Sequence, residues 1–244
     1  MKMVWISAAS AMLAACGVAG AAEQTPRTAP VAQVRQDYRV GAFDSVVAAG
    51  PNVVIVSVGG PAEVHAEGPA EALARMEVVV EDGTLEIRPK EEFRHGYRWA
   101  DTDRITFHVG VPRLSGATLA GSGDLNVDRV AGSQFAGTLA GSGNFQIGSL
   151  DVEDVTLTTA GSGDLTAQGK AGRATVSVAG SGNVRARGVA AHWGTVLVAG
   201  SGDAQLTAID GATVSIVGSG NAEIAGTSQC TVTRIGSGRA TCAT

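Results

Sequence analysis

An all-β, right-handed parallel β-helix with about 18–20 residues per rung is the fold class this sequence predicts, and three observations lead to it. The tripeptide Gly-Ser-Gly recurs from Gly121, Gly141, Gly161, Gly180, Gly200, Gly218 and Gly236, at spacings of 20, 20, 19, 20, 18 and 18 residues. Apolar and polar residues alternate on both sides of each tripeptide. Glycine is abundant at 34 residues while aromatics make up only 4%, which suits thin coils stacked closely better than packed helices.

Residues 1–21 read as a signal peptide. Lys2 leads into an apolar run over residues 4–15, too short to span a bilayer as a helix. Two processing routes fit. Leu13-Ala14-Ala15-Cys16 has the form of a lipobox, with cleavage before Cys16 and lipid on its thiol, and Ala19-Gly20-Ala21 suits ordinary signal peptidase. Gly17 after the cysteine resembles lipoproteins sorted to the outer membrane. The expected location is therefore the outer membrane through a lipid anchor, the only membrane contact expected, or the periplasm or exterior. Residues 22–36 are polar, contain Pro, Thr and Ala, and read as a tether.

Residues 37–113 read as irregular N-terminal coils. Residues 43–58 and 62–66 alternate like strands bounded by Gly50-Pro51 and Gly59-Gly60-Pro61, and residues 69–75 suit one short helical turn. Residues 76–80 and 85–87 flank Asp82-Gly83 as a hairpin. The insertion 88–103 breaks the pattern and gathers Phe93, Tyr97 and Trp99 with Arg88, Lys90, Arg94, His95 and Arg98. Phe93, Arg94, Tyr97, Arg98 and Trp99 are the candidate ligand-contact loop, for a glycan or a protein surface. The alternative is that these aromatics cover the open end or side of the solenoid.

Residues 114–244 are the regular repeats. A unit of about twenty residues cannot bury its own apolar face, so successive units must stack and share one core. Ala117, Gly137, Leu157, Val176, Val196, Val214 and Val232 form one inward column, and Leu119, Leu139, Thr159, Val178, Val198, Ile216 and Arg234 another. Thr118, Thr138, Thr158, Ser177, Leu197, Ser215 and Thr233 lie between them and face out. After each tripeptide, Leu125, Phe145, Leu165, Val184, Ala204, Ala222 and Ala240 open a second strand. Equivalent strands then pair in parallel at about 4.8 Å. The right-handed sense follows from the bias of parallel crossovers.

The residue after each tripeptide is Asp124, Asn144, Asp164, Asn183, Asp203, Asn221 and Arg239. Carboxylates stacked on every rung repel by about 1 kcal/mol per pair even in water, and interleaved asparagine relieves this and allows amide ladders. The ladder suits Asx side chains that hold the turns, with a ligand-binding strip of acids as the alternative. Cys230 and Cys242 fall at inward positions of the last rung, where a disulfide ties the coil shut in an oxidising compartment; two buried thiols are the alternative. An edge exposed after this rung offers pairing to a second copy, a homo-oligomer.

At Phe43-Asp44-Ser45-Val46, Gly50-Pro51-Asn52-Val53, Val80-Glu81-Asp82-Gly83-Thr84-Leu85-Glu86-Ile87 and the recurrent Ala-Gly-Ser-Gly-Asp/Asn, the chain resembles the bacterial head GIN domain family, labelled autotransporter adhesins. The likeness runs from about residue 40 to the C-terminus. It implies a secreted or lipid-anchored β-helical protein, adhesin by label, and supplies no functional residues to carry over.

Other chemistries fit less well. A formal charge of −5 argues against a phosphate-tracking surface, so no nucleic acid is expected. Asp124, Asp164 and Asp203 lie about 9.6 Å apart in turn, near the reach of an inverting glycosidase pair. Every rung repeats that position, however, and an active site needs one irregular place with supporting groups, so no enzyme is expected. Calcium β-rolls repeat at nine residues, half the period here, and His65, His95, His108 and His192 lack metal-ligand spacing. No metal and no cofactor are expected. The sequence predicts a binding or scaffold protein of the cell envelope.

Overall fold

The computed structural model describes residues 32–94 and 103–244. The leader, Cys16 and the tether up to residue 31 lie outside the described residues.

Strands β1 (Gln33–Tyr38), β2 (Ser45–Ala49), β3 (Val53–Val58) and β4 (Glu63–Pro69) precede a short helix α1 (Ala70–Ala74). The hairpin β5 (Met76–Glu81) and β6 (Thr84–Pro89), a single turn α2 (Glu91–Arg94) and β7 (Thr106–Val111) follow. Next come β8 (Gly116–Gly121), β9 (Asp124–Val127) and the long strands β10 (Val130–Gly141), β11 (Asn144–Gly161), β12 (Asp164–Gly180), β13 (Asn183–Gly200) and β14 (Asp203–Gly218), which bend round the sides of their coils. The short strands β15 (Asn221–Ala225), β16 (Cys230–Ile235) and β17 (Arg239–Ala243) complete one continuous sheet wound as a β-solenoid.

The repeats stack in the predicted register. Leu119 lies beside Leu139, then Thr159, Val178, Val198, Ile216 and Arg234 in turn, each on the next parallel strand. Leu119, Leu139, Leu157, Val176, Val196 and Val214 are buried in one core with Phe145, Leu165, Leu206 and Ile224. Each such side chain contributes about 1.5–3 kcal/mol relative to leaving it in water. Two members depart from the column. Thr159 is buried with its hydroxyl unpaired among the described residues, and Arg234, on the last coil, is exposed.

The tripeptide corners show why glycine is needed. Gly141 has φ +137°, and a Cβ there would lie 2.2 Å from the carbonyl oxygen of Gly121 on the coil beneath. At Gly143 the clash would be with the Gly123 oxygen, at 2.1 Å. The amides of Ser142 and Gly143 both donate to that Gly121 oxygen, at 3.0 and 3.1 Å, so the parallel ladder continues through the turn.

The N-terminal coils stack out of sequence order. β2 pairs in parallel with β6 on one side and β8 on the other, and β3 likewise lies between β7 and β9. The first coil of the chain is therefore sandwiched between the second and third. The register places Gly50-Pro51-Asn52 at the corner that Gly121-Ser122-Gly123 fills above it. The terminal coil, β6 and β7, is closed from outside by antiparallel strands, β5 on β6 and β4 on β7. Leu73 of α1, Met76 and Ile105 are buried beneath them.

Residues 33–36 differ from the tether reading. They open β1, which runs antiparallel along β4 and covers its edge. The strand is held by its backbone ladder and exposes its side chains up to Asp37, so it carries no apolar period for sequence reasoning to find. Residues of the insertion also have regular structure: Arg88 and Pro89 end β6, and residues 91–94 form α2.

Candidate ligand-binding face

The Asx side chains stand in register along one corner edge. Asn144 Nδ2 donates to Asp124 Oδ1 at 2.9 Å, Asn183 Nδ2 to Asp164 Oδ1 at 2.7 Å, and Asn221 Nδ2 to Asp203 Oδ1 at 2.8 Å. Side-chain oxygens also take backbone amides from the next coil: Asp203 N donates to Asn183 Oδ1, Asn221 N to Asp203 Oδ1, and Arg239 N to Asn221 Oδ1. Each acid is thus engaged by an amide from the following coil, and an Asn rung separates it from the next acid. Burial works to raise the Asp164 carboxyl, and the hydrogen bond from Asn183 with the bond and charge of Arg185, 2.9 Å away, outweigh it, so its pKa sits below the ordinary value.

The candidate loop is only partly placed. Phe93 is half-buried on α2 and lines a depression of about 570 Å³ with Arg88, Arg104, Pro89, Pro51 and Ser122. Tyr97, Arg98 and Trp99 lie outside the described residues, as do His95 and the Arg94 side chain. Two of the loop's cations are engaged by the frame. Arg88 is held by Glu77 at 3.1 Å, by Glu81 at 3.5 Å and by Glu86; the hydrogen bond to Glu77 is the main reason its pKa rises. Lys90 Nζ donates to the Ala74 carbonyl at 2.6 Å, at the C-terminal end of α1.

A broader surface extends the polar Thr/Ser repeat face that the sequence pattern turns outward, and its apolar end was not singled out there. The strands that precede each tripeptide present Thr118, Thr138, Thr158 and Ser177 outward in register, beside a second ladder of Thr156, Thr175, Thr195, Thr213 and Thr231. Toward the C-terminal end this flat face turns apolar. Trp193 is 56% exposed, Leu197 43%, Val217 51% and Ile235 67%. Trp193 follows Arg173 in its column and covers Gly211, where a Cβ would lie 2.6 Å from the indole. The sequence carried a signal: Leu197 interrupts a Thr/Ser column, and Val217 and Ile235 interrupt a column of Ala120, Ala140, Ala160, Ala179 and Ala199.

The family model described as "Putative auto-transporter adhesin, head GIN domain" matches residues 42–228, from Ala42 before the first coil to the approach to the last. The chain belongs to the head GIN domain family. Solved structures agree in fold. A protein of Bacteroides fragilis described as a putative adhesin is 20% identical, with a TM-score of 0.78 over 87% of this chain and 97% of that one. One from Parabacteroides distasonis, described as a putative lipid binding protein, is 21% identical, with a TM-score of 0.69 over 87% and 96%. A second P. distasonis protein, described as a putative adhesin, is 18% identical, with a TM-score of 0.65 over 87% and 97%. A comparison with curated proteins gives no match.

Within this head GIN solenoid the two end regions hold the remaining site residues. Cys230 and Cys242 form a disulfide across the last coil, with Cα atoms 6.5 Å apart. At the other end, antiparallel pairing sets His65 of β4 directly opposite His108 of β7, with Glu67 beside them. Sequence spacing gave no sign of this meeting, because strand register and not separation along the chain creates it. Among the described residues no helix is long and apolar enough to cross a membrane.

Proposed function

We propose that the protein is an exported, non-enzymatic surface protein that holds an extended glycan against the outward face of its coils through many weak contacts. The observation that carries the reading is the face itself, a flat ladder of short hydroxyls running into the exposed indole of Trp193. An aromatic face stacks on a sugar ring while neighbouring hydroxyls bond its rim, and a repeating array favours multivalent attachment over one deep pocket. The adhesin description of the family and of similar structures supports the same class of role. Carboxylates already engaged rung to rung are poorly suited to acid–base work.

Export through the leader, with lipid on Cys16 at the outer membrane or release to the periplasm or exterior, completes the reading. The Cys230–Cys242 bond supports an oxidising compartment. Phe93, Arg94, Tyr97, Arg98 and Trp99 form a second contact in this proposal. Among the described residues β16 and β17 each have one edge without a partner strand, which in this proposal pairs with a second copy, read by light scattering. The ladder from Asp124 to Asn221 is assigned to holding the coils together.

A glycan array tests the main proposal with the wild type, a Trp193→Ala/Leu197→Thr variant and a variant with residues 95–102 replaced by a Gly-Ser linker. The expected result is a defined set of glycans bound by the wild type and lost by the face variant, with partial loss in the linker variant. Binding that ignores the face variant overturns the assignment of the face. No binding by the wild type leaves an envelope-structural role as the better reading.

A further inference from the structure

We infer that His65, Glu67 and His108 form a binding site for a divalent first-row transition-metal ion that clips the capping strand β4 to the solenoid strand β7. His65 and Glu67 are two residues apart on β4 and so project to one face. His108 stands directly across the antiparallel pair from His65, the closest approach two side chains on neighbouring strands can have. The imidazole rings lie 4.7 Å apart, tilted by only 10°, and one donor atom from each of the three residues lies within 4.8 Å of the others.

The surroundings favour an ion over a purely structural pair. Among the described residues no hydrogen bond engages either imidazole, so both present free ring nitrogens. Asp37 of β1 is the cross-strand neighbour of His65 on its other side, and Glu63 lies two residues before it on the same face. Ile55 of β3 is the in-register neighbour of His108 on its other side. Arg35 is the competing cation, 3.9 Å from Glu67 and 3.4 Å from Asp37, so the metal must share or displace one carboxylate contact. Two imidazoles and a carboxylate suit Zn²⁺, Cu²⁺ or Ni²⁺ rather than calcium, and three protein donors leave a position open to water or to an external ligand.

Titration calorimetry of the mature chain with ZnCl2 in a non-chelating buffer tests the site. One Zn²⁺ per chain is expected. His65→Asn and His108→Asn should each weaken it by more than about tenfold, the loss that even an outer-shell partner brings. Glu67→Gln should weaken it less, and His192→Asn, remote on the solenoid side, should leave it unchanged. Thermal unfolding gives the second reading. Zn²⁺ should raise the melting temperature of the wild type and leave that of a His65→Asn/His108→Asn double variant where it was. The inference is overturned if the wild type binds no zinc at 100-fold excess, or if the double variant, folded by circular dichroism, binds as tightly as the wild type.

Discussion

At the N-terminal end of the solenoid, β4 and β5 lie antiparallel on β7 and β6, and Leu73, Met76 and Ile105 seal the core beneath them. At the C-terminal end, among the described residues, β16 pairs with β14 and β17 with β15 and neither with a second strand, and a disulfide crosses this last coil. Val232 occupies the column of the fully buried Val214, yet is 42% exposed, and Arg234 stands where the preceding coil places Ile216. A coil with one neighbour receives about half the packing of an interior coil, so its inward positions tolerate polar residues. The chain solves the same problem twice, once by burial and once by a covalent tie.

The largest expected effect is at the folded cap. Leu73→Ala should cost about 3–4 kcal/mol, read from the urea midpoint, because it opens a cavity in the core beneath the capping strands. Removing the tie with Cys230→Ser/Cys242→Ser should cost about 2–3 kcal/mol, the chain-entropy value for a short loop. Its loss of hydrogen-exchange protection should stay in β16 and β17; loss of protection across β10 to β13 would show that the tie supports the whole array. The shared column sharpens the contrast: Val214→Ala should cost about 2 kcal/mol and Val232→Ala about 0.5 kcal/mol.

The smallest effect belongs to the Asx ladder, which lies between the two ends from Asp124 to Asn221. The folded pKa of Asp164 is depressed, so its contribution is present above the unfolded value and lost as pH falls through the lower folded one. Asp164→Asn should remove that acid sensitivity while changing stability near neutral pH by less than about 1 kcal/mol, because the side chain is partly solvent-screened. Urea unfolding at pH 7 and below pH 4 separates the two.

Legibility differed along the chain for identifiable reasons. Columns such as Leu119, Leu139 and Val198 were readable because period-two alternation and a fixed corner tripeptide leave one register that buries these aliphatic columns. The Asp/Asn alternation likewise announced side-chain pairing between rungs. Residues 43–58 were readable as strands but not as a coil inserted between two later ones, since nothing in Gly50-Pro51-Asn52 names its neighbours. β1 escaped notice because it buries almost nothing, and Trp193 because a single aromatic within a repeat looks like core until its side is known.

The sequence by itself determined that coils of some twenty residues stack, which side chains face inward, and where glycine must turn the chain; these are local steric and hydrophobic requirements repeated often enough to be unambiguous. Only the tertiary structure decided the order of the first three coils, how each end is closed, and that His65 meets His108 beside Glu67. Those depend on which strand edges remain free to pair once the others are satisfied, a property of the assembled sheet that no single segment carries.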